Sequence, residues 1–303
     1  MSRIHEALKK AAEERNAQTG NRTVPELVEL SGPDEAIQGV SVVANPLPGK
    51  KIEPPVTQFE EFRKRCAPAT WKIEPQGSAF SANLNYQAGA EKFRTLRSRL
   101  CQIGAARPLK KVLITSSTPA EGKTFVASNL AQSFVRQTER RVLLIDSDLR
   151  ASRLHFHLGA SEKPGLSDYL RGDCDEYQVT QVEAGGNLCF IPGGSDVVNP
   201  SELLLNTRMK QLLDRMSLIF DWIILDSPPA LAVHDASIIA DMCDGVLFVL
   251  RAGSTDIGQA TKASSEFHEK KLLGVVLNRV EKSDSYGEYS YGYDAETSSD
   301  SKP

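Results

Sequence analysis

The sequence predicts an α/β protein: a mostly parallel sheet with helices on both faces. Three observations carry that expectation. Six short runs rich in Val, Ile and Leu recur between residues 111 and 280: "KVLITS", "RVLLID", "LCFIPGG", "DWIILDSPP", "DGVLFVLRAG" and "LLGVVLNRV". Apolar runs of this length suit strands that are covered on both sides, as parallel strands are. Helical stretches alternate with them, which supplies the crossovers that parallel neighbours need. Composition agrees, with 40% hydrophobic and 25% charged residues over 303 positions, the profile of a globular protein.

Taken in order, the chain divides into four parts. Residues 1–15 ("MSRIHEALKKAAEER") form a short amphipathic helix, with Ser2 as N-cap candidate and Ile4, Ala7, Leu8 and Ala11 on one face. Alone it would be marginal, so it is either a frayed start or a docking helix that orders on a partner. Residues 16–83 are rich in proline, glycine and polar residues. They are expected to be a flexible linker, a disordered extension with at most one short helix near "TQFEEFRKRC". Residues 84–281 carry the alternating pattern, opening with the amphipathic stretch "YQAGAEKFRTLRSRLCQIG", which has Phe93, Leu96 and Leu100 on one side. Residues 282–303 are a polar, flexible tail holding four of the chain's seven tyrosines, Tyr286, Tyr289, Tyr291 and Tyr293.

Several classes are excluded or disfavoured. A net charge of −3 implies no bulk polyanion partner, so nucleic acid is not expected. Charge is nonetheless uneven: Asn83 to Lys111 holds seven Lys or Arg against one acid, and Glu281 onward holds six acids against two lysines. No apolar run approaches the roughly 18 residues of a membrane span, and the N-terminus lacks the apolar core of a secretory signal. Five scattered cysteines without C-x-x-C spacing argue against a metal site or disulfide framework and for a reducing cytoplasm.

The chemistry-bearing motifs lie at strand ends. The first strand of the domain runs into "SSTPAEGKTFVASNLAQSF", in which "EGKT" precedes an apolar-periodic helix, the arrangement of a phosphate-binding loop. Ala120, Glu121, Gly122, Lys123, Thr124 and Phe125 would surround the phosphates of a nucleotide. Lys123 can reach the outer phosphates, and the Thr124 hydroxyl can ligate Mg²⁺. Ser117 stands where the usual pattern has its first glycine. The next strand ends "LLIDSDLR", putting Asp146 and Asp148 at the carboxyl edge where open α/β sheets bind ligands; a capped turn is the simpler alternative. A further strand ends "WIILDSPP", which places Asp226 as the Mg²⁺-side aspartate of such a site.

These motifs look like the Walker A, A′ and B motifs of bacterial tyrosine kinases, the capsule and exopolysaccharide autokinases, whose fold is the P-loop NTPase fold of the MinD/ParA-like kind. "EKFRTLRSRL" is similar to the family's E-x-x-R-x-x-R helix, giving Glu91, Arg94 and Arg97, and "GLSDYL", "NPSELL" and "GVVLNRV" follow in order. "MSRIHEALKKA" resembles the start of exosortase-associated members. The resemblance spans roughly residues 85–293. It implies ATP and Mg²⁺ as cofactors, Asp146 as the base toward a tyrosine hydroxyl, and Asp148 and Asp226 as organisers of Mg²⁺ with Thr124. It implies the tail tyrosines as phosphoacceptors and a homo-oligomeric ring joined through Glu91, Arg94 and Arg97, for which surface i,i+3 pairing is the alternative. Asn278, with Arg279 beside it, is implied as an adenine contact or else a strand-end cap. The resemblance further implies a membrane-embedded, polysaccharide co-polymerase-type adaptor, a protein-tyrosine phosphatase, and a cytoplasmic location at the inner face of the membrane through that adaptor. Two departures stand out: Ser152 replaces the proline usual two residues after Arg150, although His155 fits, and Thr118 replaces the signature lysine of MinD/ParA proteins. The latter disfavours the alternative function, a positioning or partition ATPase.

Overall fold

The computed structural model describes residues 56–73, 78–80, 87–137, 140–183, 186–195, 197–267 and 272–280. The expected docking helix and the tyrosine-rich tail lie outside these residues, as does most of the expected linker.

Among the described residues, eight strands form one sheet in the order β1-β4-β5-β3-β6-β2-β7-β8. The six apolar runs supply β2 (Lys111–Ser116), β3 (Val142–Asp146), β5 (Leu188–Ile191), β6 (Trp222–Asp226), β7 (Gly245–Arg251) and β8 (Leu272–Asn278), all mutually parallel where they pair. Residues along a strand point alternately to opposite faces. Leu113 of β2 therefore joins one core with Leu143, Ile223 and Phe248. Val112 and Ile114 join the other with Leu144, Ile224 and Val249. Helices cover both faces, as expected.

On one face lie α2 (Gln87–Ala106) and α3 (Lys123–Val135). The expected stripe of Phe93, Leu96 and Leu100 on α2 meets Val126, Leu130 and Phe134 of α3 there. On the other face lie α8 (Thr207–Met216), α9 (Asp235–Asp241) and α10 (Ile257–Ser265). Met209, Leu212, Leu213 and Met216 line the buried side of α8 at helical spacing. Four shorter helices, α4 (Leu154–Leu158), α5 (Leu166–Arg171), α6 (Glu176–Val179) and α7 (Pro200–Leu204), fill the connections.

The folded unit starts earlier than residue 84. Residues 56–73 and 78–80, expected as linker with one short helix near "TQFEEFRKRC", belong to it, and that helix is present. They form α1 (Val56–Arg65) and β1 (Ala67–Ala69), and β1 adds a parallel edge strand to β4 (Gln181–Glu183). Phe59 and Phe62 of α1 each meet Phe220 edge-on at 5.6 Å, and Trp71 meets Phe190 at 6.3 Å. Fully burying a phenylalanine is worth about 1.5–3 kcal/mol, enough to hold so short a segment against the sheet. Ser78 and Ala79 are tied to α3 as well, through Gln132 Oε1 at 3.0 Å and Asn129 Oδ1 at 2.6 Å. Proline content misled the expectation: Pro68 sits on an edge strand, where its missing N–H costs no ladder bond.

Candidate nucleotide site

The chemistry-bearing motifs converge at the carboxyl ends of three adjacent strands, β3, β6 and β2. Asp146 and Asp226 are direct register partners across β3 and β6, and Asp226 also faces Ile114 of β2.

The loop from β2 to α3 turns through two left-handed residues, Ala120 (φ 66°) and Gly122 (φ 96°). Glycine is required at 122 for a second reason: a Cβ there would come within 2.0 Å of the Asn278 amide nitrogen. No side chain caps the start of α3, so the first-turn N–H groups, Thr124 and Phe125 included, are available to an anion. The Phe125 ring itself turns away and packs edge-on against Phe93 at 5.9 Å.

Lys123 is nearly enclosed. Its Nζ donates to Asp148 Oδ2 at 3.0 Å and lies 3.4 Å from the Thr124 hydroxyl. Burial pushes its ammonium toward neutrality, but Asp226, then Asp148 and Asp146, more than offset this and hold its pKa above the usual lysine value. Asp148 is buried and also accepts from the Ala151 amide at 3.0 Å.

The two paired strand-end carboxylates differ. Asp146 Oδ2 accepts from Ser152 Oγ at 2.8 Å and from the Arg153 and Leu154 amides at 3.0 Å each, while Oδ1 accepts from the Asp148 amide at 3.1 Å. Burial pushes its pKa up to about 6, with the Leu154 amide and Ser152 hydroxyl pulling the other way. Asp226 is bonded by the Thr124 hydroxyl, yet its buried Oδ1 has no hydrogen-bond partner among the described residues. Burial pushes its pKa up to about 7, against the pull of Lys123. An orphaned buried carboxylate oxygen is costly, and its neighbours here are a threonine hydroxyl and a second acid. That all-oxygen donor set suits Mg²⁺.

Sequence reasoning missed several supports. Arg150 forks onto buried Asp235 of α9 (2.8 and 3.2 Å) and reaches Ser201 of α7 at 2.8 Å, which anchors the loop after β3. Ser152, marked as a departure, uses its hydroxyl on Asp146. His155 is buried against the Phe156 ring with Nδ1 unpartnered, and burial lowers its pKa. Asn278 donates to the Glu121 carbonyl at 2.9 Å and accepts from the Arg279 amide at 2.9 Å; Arg279 is left-handed (φ 55°) and exposed. The asparagine is thus a strand-end cap that also grips the phosphate loop. Away from the strand ends, Glu91 pairs with Arg94 within α2, and Arg97 donates to the Ser133 carbonyl of α3 at 2.6 Å. In the single chain these arginines serve local contacts.

Residues 112–300 match the CobQ/CobB/MinD/ParA nucleotide binding domain. The tyrosine-protein kinase YwqD of Bacillus subtilis is 36% identical over 204 residues, 66% of this chain and 86% of that protein. The chain belongs to the bacterial tyrosine-kinase family. The tyrosine-protein kinase Wzc of Salmonella typhimurium is 35% identical over 215 residues, 70% of this chain. The chain spans about a third of that relative's length (30%). Among solved structures, the kinase domain of the Escherichia coli tyrosine kinase ETK superposes with a TM-score of 0.64 at 32% identity, covering 79% of this chain and 92% of that domain. The fold is accordingly a P-loop fold of the MinD/ParA kind.

Proposed function

We propose that this chain is an ATP-dependent protein-tyrosine autokinase that phosphorylates its own C-terminal tyrosines, Tyr286, Tyr289, Tyr291 and Tyr293, within a homo-oligomer. The observation that carries the reading is the partnerless Asp226 oxygen beside Thr124, Lys123 and two further acids at the mouth of the phosphate loop. Mg²⁺, when bound, would supply the positive charge that neutralises what develops on the outer phosphates. Thr124, Asp226 and Asp148 are the residues that would hold it and its waters.

The chain's own groups do the rest. The N–H groups at the start of α3 grip the phosphates, and Lys123 shifts from Asp148 toward the β/γ oxygens. Asp146 takes the phenol proton as the tyrosine oxygen bonds to the γ-phosphorus and the bond to the β-phosphate oxygen breaks. A tyrosine hydroxyl has a pKa near 10, so a carboxylate held partly desolvated at the strand end suits the task.

Transfer occurs in trans, each tail entering a neighbouring site in a ring joined through Glu91, Arg94 and Arg97. Each phosphate adds roughly −1.5 to −2 charges, so a heavily modified acidic tail repels the ring apart. A protein-tyrosine phosphatase resets it. The biological setting is regulation of exopolysaccharide or capsule polymerisation and export. Among the described residues no helix is long and apolar enough to cross a membrane; a membrane-embedded adaptor of the co-polymerase type recruits the chain to the inner face of the membrane, with residues 1–15 as docking element.

The test is incubation of the full chain with Mg·ATP followed by phosphosite mapping, with Lys123→Met as control. Phosphotyrosine confined to the four tail positions and lost in the control is expected. ATP turnover without phosphotyrosine would instead favour a positioning ATPase of the MinD/ParA kind.

A further inference from the structure

Glu121 is an acid inside a loop meant for a polyanion. Pointing at the phosphates it would repel them, yet it is 2% exposed and points inward. The Ser117 hydroxyl lies 2.9 Å from each of its carboxylate oxygens, and the Thr118 amide donates to Oε2 at 2.8 Å. A third donor arrives from far along the chain: the hydroxyl of Thr255, in the turn between β7 and α10, donates to Oε1. That hydroxyl in turn accepts from the Arg251 amide at 3.0 Å, at the end of β7. The Glu121 carbonyl is held by Asn278 at the end of β8. Ser117 occupies the position of the usual first loop glycine, and its side chain is part of this clasp.

We propose that Glu121 is a positioning residue that braces the phosphate loop from within, with Thr255 as its remote arm, and that its carboxylate makes no contact with nucleotide. The inference rests on the reading of this loop as a nucleotide site. Its chemistry is simple. A buried carboxylate that collects two hydroxyls and an amide fixes the loop's inner edge, and charge-assisted hydrogen bonds of this kind are stronger than neutral ones. The loop's outward N–H groups are then set before the anion arrives, so binding need not order them. Because two of the clasp's holds come from the ends of β7 and β8, the loop is tied to the sheet edge and not only to its own helix.

The experiment measures binding of a ribose-labelled fluorescent ADP with Mg²⁺ to the full chain, together with thermal melting without ligand. Thr255→Val keeps the shape and removes the hydroxyl; Thr255→Ser restores it. The clasp account expects about tenfold weaker binding for Thr255→Val, the equivalent of one lost hydrogen bond. It also expects a fall in unliganded melting no larger than one bond accounts for, and recovery of both melting and affinity in Thr255→Ser. Glu121→Ala should weaken binding further. If wild type binds and Thr255→Val binds equally well, the inference is overturned. It is equally overturned if Thr255→Ser restores unliganded melting without restoring affinity, because the contact then serves the fold alone. If wild type itself fails to bind, the nucleotide reading falls first and this inference with it.

Discussion

Asp146 and Asp226 sit opposite each other in the same register of the sheet, both out of solvent, at the ends of neighbouring strands. Asp146 spends its oxygens on four donors from the loop that follows it. Asp226 leaves one oxygen with none. The difference separates two jobs. Asp146 shapes the turn after β3 as well as presenting a carboxylate, whereas Asp226 meets only the Thr124 hydroxyl and the Lys123 charge and leaves its other oxygen without a bond. Unsatisfied buried groups that persist in a structure mark places kept for chemistry.

The largest expected effect comes from removing Asp226's charge. Asp226→Asn should lower tail phosphorylation at least ~100-fold, in keeping with what loss of one electrostatic group costs in other enzymes. Quantified phosphotyrosine labelling at saturating Mg·ATP is the check. Labelling within about threefold of wild type would erase the distinction between the two acids by showing that the Asp226 charge is not needed for transfer.

The second effect is on stability against pH. Both carboxylates have folded pKa values above the unfolded value near 4, at about 6 for Asp146 and about 7 for Asp226, because burial disfavours their charge. Between those limits the folded state binds more protons than the unfolded state, so stability falls as pH rises. Their contribution is fully present below about pH 4 and is lost as pH rises through 6 and 7. The metal- and nucleotide-free chain should lose on the order of 4 kcal/mol over that window from Asp226 alone, about three pKa units at ~1.36 kcal/mol each. Urea titrations at several pH values in wild type and Asp226→Asn would reveal it as the part of the slope that the variant lacks.

A smaller effect sharpens the Asp146 side. The Ser152 hydroxyl favours the charged carboxylate, so Ser152→Ala should raise Asp146's pKa and move the acid limb of the labelling rate upward by about half a pH unit. An unmoved limb would separate Asp146 from the proton transfer. Smallest is the contrast on α2. Arg97→Ala removes a bond to the α3 carbonyl and should cost about 1 kcal/mol. Arg94→Ala removes only an exposed i,i+3 pair and should cost at most about 0.5 kcal/mol. If both variants instead share a loss of assembly on size-exclusion chromatography, the interface role outweighs the local contacts.

The same contrast marks what could be read in advance. The six longer strands were legible because each is a run of apolar residues covered on both faces, and the phosphate loop and acids were legible because their chemistry demands particular residues at strand ends. β1 and β4 were not, being three residues each, too short to show a period, with proline in one of them. α1 was expected as a short helix, but its proline-rich flanks hid that Phe59 and Phe62 would pack it onto the sheet. The acids' hydrogen-bond accounts were equally hidden. Ser152 was singled out only as a missing proline, and nothing in the spacing of Asp226 indicates that its partner oxygen would be empty. Arg150 and Asp235 are 85 residues apart, and Glu121 and Thr255 are 134 apart; only the folded sheet brings them together.

The most direct test of the two-job account is thermal melting of Asp146→Asn and Asp226→Asn at pH 8 without metal or nucleotide. An asparagine at 146 must turn its amide NH₂ toward donors whichever way it flips, leaving buried N–H groups unpaired at a cost of about 1–3 kcal/mol. An asparagine at 226 removes a buried charge and loses no bond from its partnerless oxygen. The account expects Asp146→Asn to melt below wild type and Asp226→Asn to melt at or above it. Equal destabilisation of both, or the reverse order, would contradict it.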